Sequence, residues 1–335
     1  MAKKIELYHL APDSTILMQC EIIKTRNDKI IVVDGGFYSK DHGYYIHSAI
    51  RAILGLKEND YFEIEAWFLT HCHGDHYGEM AMQFERYSKN SNFKVNNIYF
   101  DFADESKMDY HDIEEQSKYY EWKNALIASL DNYAKVNEID TASKSYYDYL
   151  NGAVINEQSV KDGLKFNIDG VEFEILQTYH KDDHLVNGSS IVMKMNVYNQ
   201  DDTVIEQSVL FLGDSSADSG DRLLREVPNE RLKCNIVQMA HHGNWAVKRD
   251  VYDTIEAKVK LWPTPLWLWQ SDETSIYDIY KVKEWVGTKE PDEYNFVSSC
   301  YKNYPEDRES VKEWEKVLGQ MKLTLPYRPW EKQHV

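Results

Sequence analysis

Thr70-His71-Cys72-His73-Gly74-Asp75-His76 places three imidazoles and a carboxylate within six residues of chain. Neutral imidazole is the commonest protein ligand for zinc and related ions, and a carboxylate adds the hard oxygen that such ions also accept. Four donors in so short a segment exceed what one open catalytic site takes, so the density points to two metal ions. Ala66-Trp67-Phe68-Leu69 before it has the character of a buried strand, and Gly78 onward, with Glu79, Met80, Ala81, Met82, Gln83 and Phe84, favours helix. The donors are therefore expected on a strand-to-helix loop. His71 and His73, two apart on extended backbone, can face one ion, and Asp75 with His76 can turn to a second. Cys72 and Gly74 project elsewhere or supply flexibility.

Composition narrows what such a site would act on. The chain has 335 residues and a formal net charge of −18, which repels polyanions; no long nucleic-acid duplex is expected as a partner, and a small substrate is favoured. Four cysteines (Cys20, Cys72, Cys234, Cys300) lie far apart with no CxxC spacing, as reduced thiols rather than a disulfide framework. The first residues carry a basic pair but no apolar core of a leader, and no run approaches a membrane span, so a soluble cytoplasmic protein is expected.

Outward from the motif, residues 4–36 read as strand, turn and strand, ending in Asp34-Gly35-Gly36, a tight turn that is structural by itself. Residues 45–54 read as a helix with Ile46, Ile50, Ile53 and Leu54 on one face and Gly55 as its cap, and residues 94–100 as a strand. Residues 101–159 turn acidic, tyrosine-rich and helical, with Trp122, Leu126, Leu130 and Tyr133 on one face: a helical acidic insertion with a solvated surface and the length of a functional loop. Two turn glycines and a period-two strand come next, with Val171, Phe173 and Ile175 inward. Gln177 to Asn187 carries His180 and His184 and leads into a strand over residues 188–193. Val209-Leu210-Phe211-Leu212-Gly213-Asp214 and Ile236-Val237-Gln238-Met239-Ala240-His241-His242-Gly243 are two further apolar strands, each ending in polar residues around a glycine. In Trp262-Pro263-Thr264-Pro265-Leu266-Trp267-Leu268-Trp269 the prolines exclude a regular helix; the aromatics serve core packing or form a wall near the metals. Helices near residues 275–286 and 308–318 complete a C-terminal helical extension over about 270–335, all within a single domain 1–335.

The segment His71 to His76 resembles the HxHxDH signature of the metallo-β-lactamase superfamily at every specified position. Asn187-Gly188-Ser189-Ser190-Ile191-Val192 resembles the Asn-x-x-Ser-x-Val segment of the branch related to competence-protein and phosphorylcholine-esterase domains, Leu210 to Asp214 its Leu-Phe-x-Gly-Asp motif, and His241-His242-Gly243 its His-His-Gly motif. The resemblance implies an αβ/βα sandwich, two mixed sheets with outer helices and ligand loops along one edge. It implies Asp214 as the carboxylate bridging both metals, and one of His241 and His242 completing the second site while the other faces substrate; His242 is taken as ligand and His241 as oxyanion or leaving-group partner. Many members carry a further histidine ligand in a Gly-His-Thr context that this chain lacks, which leaves His180 and His184 open as ligands of the first metal.

The metal ligands implied are His71, His73, Asp75, His76, Asp214 and His242, holding two divalent ions, zinc foremost, with manganese or iron as alternatives. The catalytic pair is Asp75, which orients a metal-activated hydroxide, and His241. The function implied is a dinuclear metal-dependent hydrolase of a small phosphodiester or related phosphoester. Rival readings are a lactone or thioester hydrolase on the same site, an iron-dependent oxidoreductase and a non-catalytic protein braced by its metals. The family's di-iron form replaces the second motif histidine with glutamate, whereas His73 stands here.

Overall fold

The strands that carry the expected ligand loops are apolar on both faces, and that pattern requires a layer of packing on each side. The computed structural model describes residues 4–10, 17–37, 45–57, 60–87, 92–103, 160–244, 246–298 and 318–334, with scattered positions between 121 and 138. A first mixed sheet is built from β1 (Ile5–His9), β2 (Glu21–Lys24), β3 (Ile30–Val33), β4 (Phe62–Phe68), β5 (Phe93–Val95) and β6 (Ile98–Tyr99), antiparallel through β3 and parallel from β3 to β4 onward. A second runs β7 (Lys165–Ile168), β8 (Val171–Gln177), β9 (Val192–Tyr198), β10 (Ile205–Phe211), β11 (Ile236–Gln238), β12 (Val259–Trp262) and β13 (Asn295–Val297), in that order, antiparallel to β10 and parallel thereafter. The last strand, β14 (Lys322–Leu325), returns to the first sheet against β1, with Ile5 opposite Leu325.

Alternation along each strand divides the core. Ile31, Val33, Ala66 and Phe68 meet Phe173, Ile175, Met193, Met195, Val209 and Phe211 between the sheets. Ile30, Val32, Ile64 and Trp67 face outward, under helices α1 (Tyr45–Leu54) and α2 (Gly74–Tyr87). Leu210, Leu212, Val237 and Trp262 do the same under α3 (Ala217–Glu226), α4 (Asn229–Leu232), α5 (Arg249–Ile255), α6 (Leu266–Trp269) and α7 (Ile279–Trp285). The result is four layers, αβ/βα, with each buried aliphatic side chain contributing about 1.5–3 kcal/mol of transfer free energy.

Several boundaries differ from those expected. The motif helix begins at Gly74, not Gly78, so Asp75 and His76 sit in its first turn, where a carboxylate complements the helix dipole. Residues 94–100 form two short strands separated at Asn96 and Asn97. The strand expected over residues 188–193 starts at Val192, after a 3-10 turn over Asn187–Ser189. Outward-facing Glu172 and Glu174 are themselves buried, Glu172 accepting from Lys165 and Asn196 and Glu174 from Arg231, so β8 is covered on both faces. The tail expected to be helical contributes two edge strands, because Leu323 and Leu325 alternate inward around Thr324. Most of the insertion, with Trp122, Leu126, Leu130 and Tyr133, lies outside the described residues, as does all but the last residue of the helix expected over 308–318. Cys20, Cys72 and Cys234 form no disulfide with one another, and Cys300 lies outside the described residues. Among the described residues no helix is long and apolar enough to cross a membrane.

Candidate metal centre

Strands β3, β4, β10, β11 and β12 all deliver polar residues from their carboxyl ends to one edge of the sandwich, the usual place for a site in an open α/β sheet. After β4, Thr70 is fixed by Asp34, which ends β3: Oδ1 accepts the Thr70 amide at 2.7 Å and Oδ2 accepts its hydroxyl at 2.9 Å. The same Oδ2 lies 2.8 Å from His76 Nδ1. That contact directs His76 Nε2 away, toward Asp214 Oδ1 at 3.2 Å. His71 Nε2 stands 3.1 Å from His73 Nδ1 and 3.8 Å from Asp214 Oδ2. Cys72 points into the outer core instead.

Asp214 is held by the turn that precedes it. Gln238, fully buried on β11, accepts the amides of Leu212 and Gly213, each at 2.8 Å, and Ser190 Oγ accepts the Asp214 amide at 3.1 Å. After β11 the chain turns through left-handed backbone at His241 (φ 49°) and His242 (φ 59°). The two imidazoles are thereby separated. His242 Nδ1 donates to the Pro263 carbonyl at 2.7 Å, leaving Nε2 to face Asp75 Oδ2 at 3.0 Å and Asp214 Oδ2 at 3.6 Å. His241 is the more open, its side chain 24% exposed, with Nε2 3.8 Å from Asp214 Oδ2 and 3.4 Å from Asn187 Nδ2.

The described residues thus supply two groups of donors that could each hold a metal ion: His71, His73 and Asp214; and Asp75, His76, Asp214 and His242, with the ligand atoms of each group within 4.8 Å of one another. Asp214 belongs to both. Protonation favours metal binding on the first group: burial lowers His73 to about 4 and holds His71 well below its usual value, so both imidazoles keep their lone pairs at neutral pH. Burial alone would raise Asp75 and Asp214, but the His242 and His76 imidazoles overcome it and keep both carboxylates ionised. His76 Nε2 and Asp214 Oδ1 are buried and approach without the geometry of a hydrogen bond. Orphaned buried polar atoms are rare, and a shared cation would satisfy both. An imidazole and carboxylate set of this kind suits zinc, manganese or iron.

His180 and His184 do not join either group. Arg222 on α3 donates to buried Asp183 and to the Thr178 carbonyl, and Asp183 Oδ2 accepts the His180 amide at 2.8 Å. That inward aspartate turns its neighbours out: His184 is exposed, and His180 pairs with Asp182 at 3.4 Å. Asn187 approaches the cluster in their place, and its Oδ1 is buried with no hydrogen-bond partner.

Asp34 has a larger part than a turn residue. It orients His76 as carboxylates commonly orient ligating histidines, a role hidden from sequence because its contacts are 36 and 42 residues away. Asp34→Asn keeps an acceptor for Thr70 and removes the charge. Metal affinity is expected to fall by about 10- to 100-fold, the scale of outer-shell losses, with little change in melting temperature. Asp34→Ala is expected also to destabilise by about 1–3 kcal/mol, because Thr70 loses its buried acceptor. Metal titration and thermal melts on both variants separate the two effects; unchanged affinity in Asp34→Asn would remove the orienting role.

No family model matches this chain, and no curated protein matches it. Among solved structures it is similar to CmlA, a diiron β-hydroxylase from Streptomyces venezuelae, at 14% identity over 79% of this chain and 47% of that one, TM-score 0.40. A metallo-β-lactamase from Cronobacter sakazakii carrying a mutated HARLDQ motif is 14% identical over 84% of this chain and 88% of that one, TM-score 0.33. An archaeal metallo-β-lactamase superfamily protein from Sulfolobus tokodaii is 12% identical over 84% and 96% respectively, TM-score 0.36. This chain spans about half the length of CmlA. The two mixed sheets with helices on their outer faces form an αβ/βα sandwich.

Proposed function

We propose that the protein is a dinuclear metal-dependent hydrolase acting on a small phosphodiester or related phosphoester. The observation that carries the reading is the sharing of Asp214 by two donor groups, with His71 and His73 on one side and Asp75, His76 and His242 on the other. A pair of divalent ions held there supplies Lewis acidity toward an ester oxygen and lowers the pKa of water toward neutrality.

The chain's own residues account for orientation and proton transfer. Asp75 is ionised and its side chain is 19% exposed, so Oδ1, the oxygen not facing His242, accepts a hydrogen bond from the attacking water and orients it. As the water oxygen bonds to phosphorus, the ester bond to the leaving oxygen breaks, and that oxygen takes a proton from His241, the open member of the pair. The water's released proton goes to solvent, which reprotonates His241. His242 is taken as ligand because its Nδ1 is committed to Pro263. The choice of a phosphoester rests on the likeness of the Asn187 and His-His-Gly segments to phosphoester-cleaving proteins, and the charge of −18 favours a small substrate over a duplex.

Elemental analysis of the native protein with turnover of bis(p-nitrophenyl) phosphate tests this. About two zinc or manganese ions per chain together with turnover is the expected result. One iron per chain with no ester cleavage would replace the reading by oxygen chemistry, and a metal-free native protein would leave a binding protein.

A further inference from the structure

Eight large apolar side chains are exposed among the described residues: Phe37, Tyr61, Leu185, Val204, Ile205, Leu266, Trp267 and Ile276. Their placement is uneven. Phe37 comes just after Asp34 and Gly35, which bond His76; Leu185 is two residues from Asn187, which approaches His241; Leu266 and Trp267 are two and three residues beyond Thr264, whose hydroxyl donates to the His242 carbonyl at 2.5 Å. Half of the exposed apolar set thus stands on two loops and the start of α6, all after the carboxyl ends of strands at the edge that gathers the donors. Tyr61 and Ile205 lie at the opposite ends of β4 and β10. Trp267 is 40% exposed, while Trp262 and Trp269 are buried and meet edge-on at 5.3 Å, so the aromatic segment serves the core with two rings and the rim with the third. Tyr277 backs Trp267 edge-on at 5.2 Å.

We propose that this rim receives a non-reacting apolar portion of the substrate, an alkyl chain or aromatic ring next to the scissile ester, so that Phe37, Leu185, Leu266 and Trp267 determine specificity. The proposal rests on the hydrolase reading for the word substrate; the rim and its placement do not. Scattered single apolar residues on a surface need no explanation, but four grouped at the edge that gathers the donors mark a candidate ligand surface. Binding energy from such remote contacts is also what an enzyme uses to position a small ester.

The test is equilibrium binding of methyl-, butyl-, hexyl- and phenylphosphonate, which cannot be hydrolysed at the P–C bond, to the zinc-loaded full chain. A fully buried methylene tightens binding about fourfold. On a half-open rim, hexylphosphonate is expected to bind about tenfold or more tighter than methylphosphonate, and Leu185→Ser/Leu266→Ser is expected to flatten that gradient while leaving methylphosphonate unchanged. Both leucines are exposed, and a thermal melt checks that the variant is folded. Phenylphosphonate against hexylphosphonate tells a ring from a chain. Equal binding of the methyl and hexyl members overturns the proposal and leaves the phosphoester reading standing. A gradient that persists in the double variant also overturns it. A gradient with no detectable methyl member supports the rim and counts against the phosphoester reading; no binding by any member sinks both.

Discussion

On the dinuclear hydrolase reading, replacing Asp214 with alanine is expected to abolish hydrolysis and to lower metal content from the two ions per chain that the reading requires to one or fewer. Asp214 is the residue common to both donor groups, with Oδ1 near His76 and Oδ2 near His71, His241 and His242. Its loss also leaves His76 and His242 without the carboxylate that, against their burial, holds both imidazoles above their usual values. Removing only an outer-shell partner costs about 10- to 100-fold, so loss of a shared inner carboxylate should exceed about 100-fold in turnover. Elemental analysis, metal titration and bis(p-nitrophenyl) phosphate turnover on the same preparation read this out. Two tightly held ions and undiminished turnover in the variant would dismiss the dinuclear arrangement. The exposed Asp182→Ala, which belongs to neither donor group, is the matched control.

The donors are legible where chemistry is dense in the chain and opaque where it is assembled across it. His71, His73, Asp75 and His76 share one loop and its helical first turn, and the apolar runs of β4, β10 and β11 announce buried strands with polar ends. Asp34 reads only as a turn because its partners, Thr70 and His76, come from beyond another strand. Nothing local distinguishes His180 and His184 from ligands; a buried Arg222–Asp183 pair, formed over 39 residues, turns them outward. The helix start at Gly74 is masked by residues of poor helix propensity that nevertheless suit a first turn. The tail strands are hidden for a related reason: β14 is four residues long, and its partner β1 lies at the other end of the chain.

The separation of His241 from His242 depends on the glycine after them, and Gly243→Ala is expected to damage it. Gly243 has φ +77°, the third left-handed residue in succession, and a Cβ there would lie 2.4 Å from Trp262 Cε3. The ring cannot yield easily: Trp262 is fully buried, packed on Trp269, and its Nε1 donates to Asn295 at 3.3 Å. Overpacking of a rigid core costs about 1–3 kcal/mol, and left-handed backbone adds about 1–2 kcal/mol for a residue with a Cβ. The expected loss is therefore about 2–5 kcal/mol, read as a fall in the urea midpoint at constant slope. Gly55→Ala isolates the backbone share, since Gly55 has φ +68° and no atom within 4 Å of its Cβ position. A loss in Gly243→Ala no larger than in Gly55→Ala would mean that Trp262 moves aside without cost. If the clash is real, the loop must shift instead, carrying His242 from Pro263 and Asp75, and metal retention should fall with stability even though no ligand has been replaced.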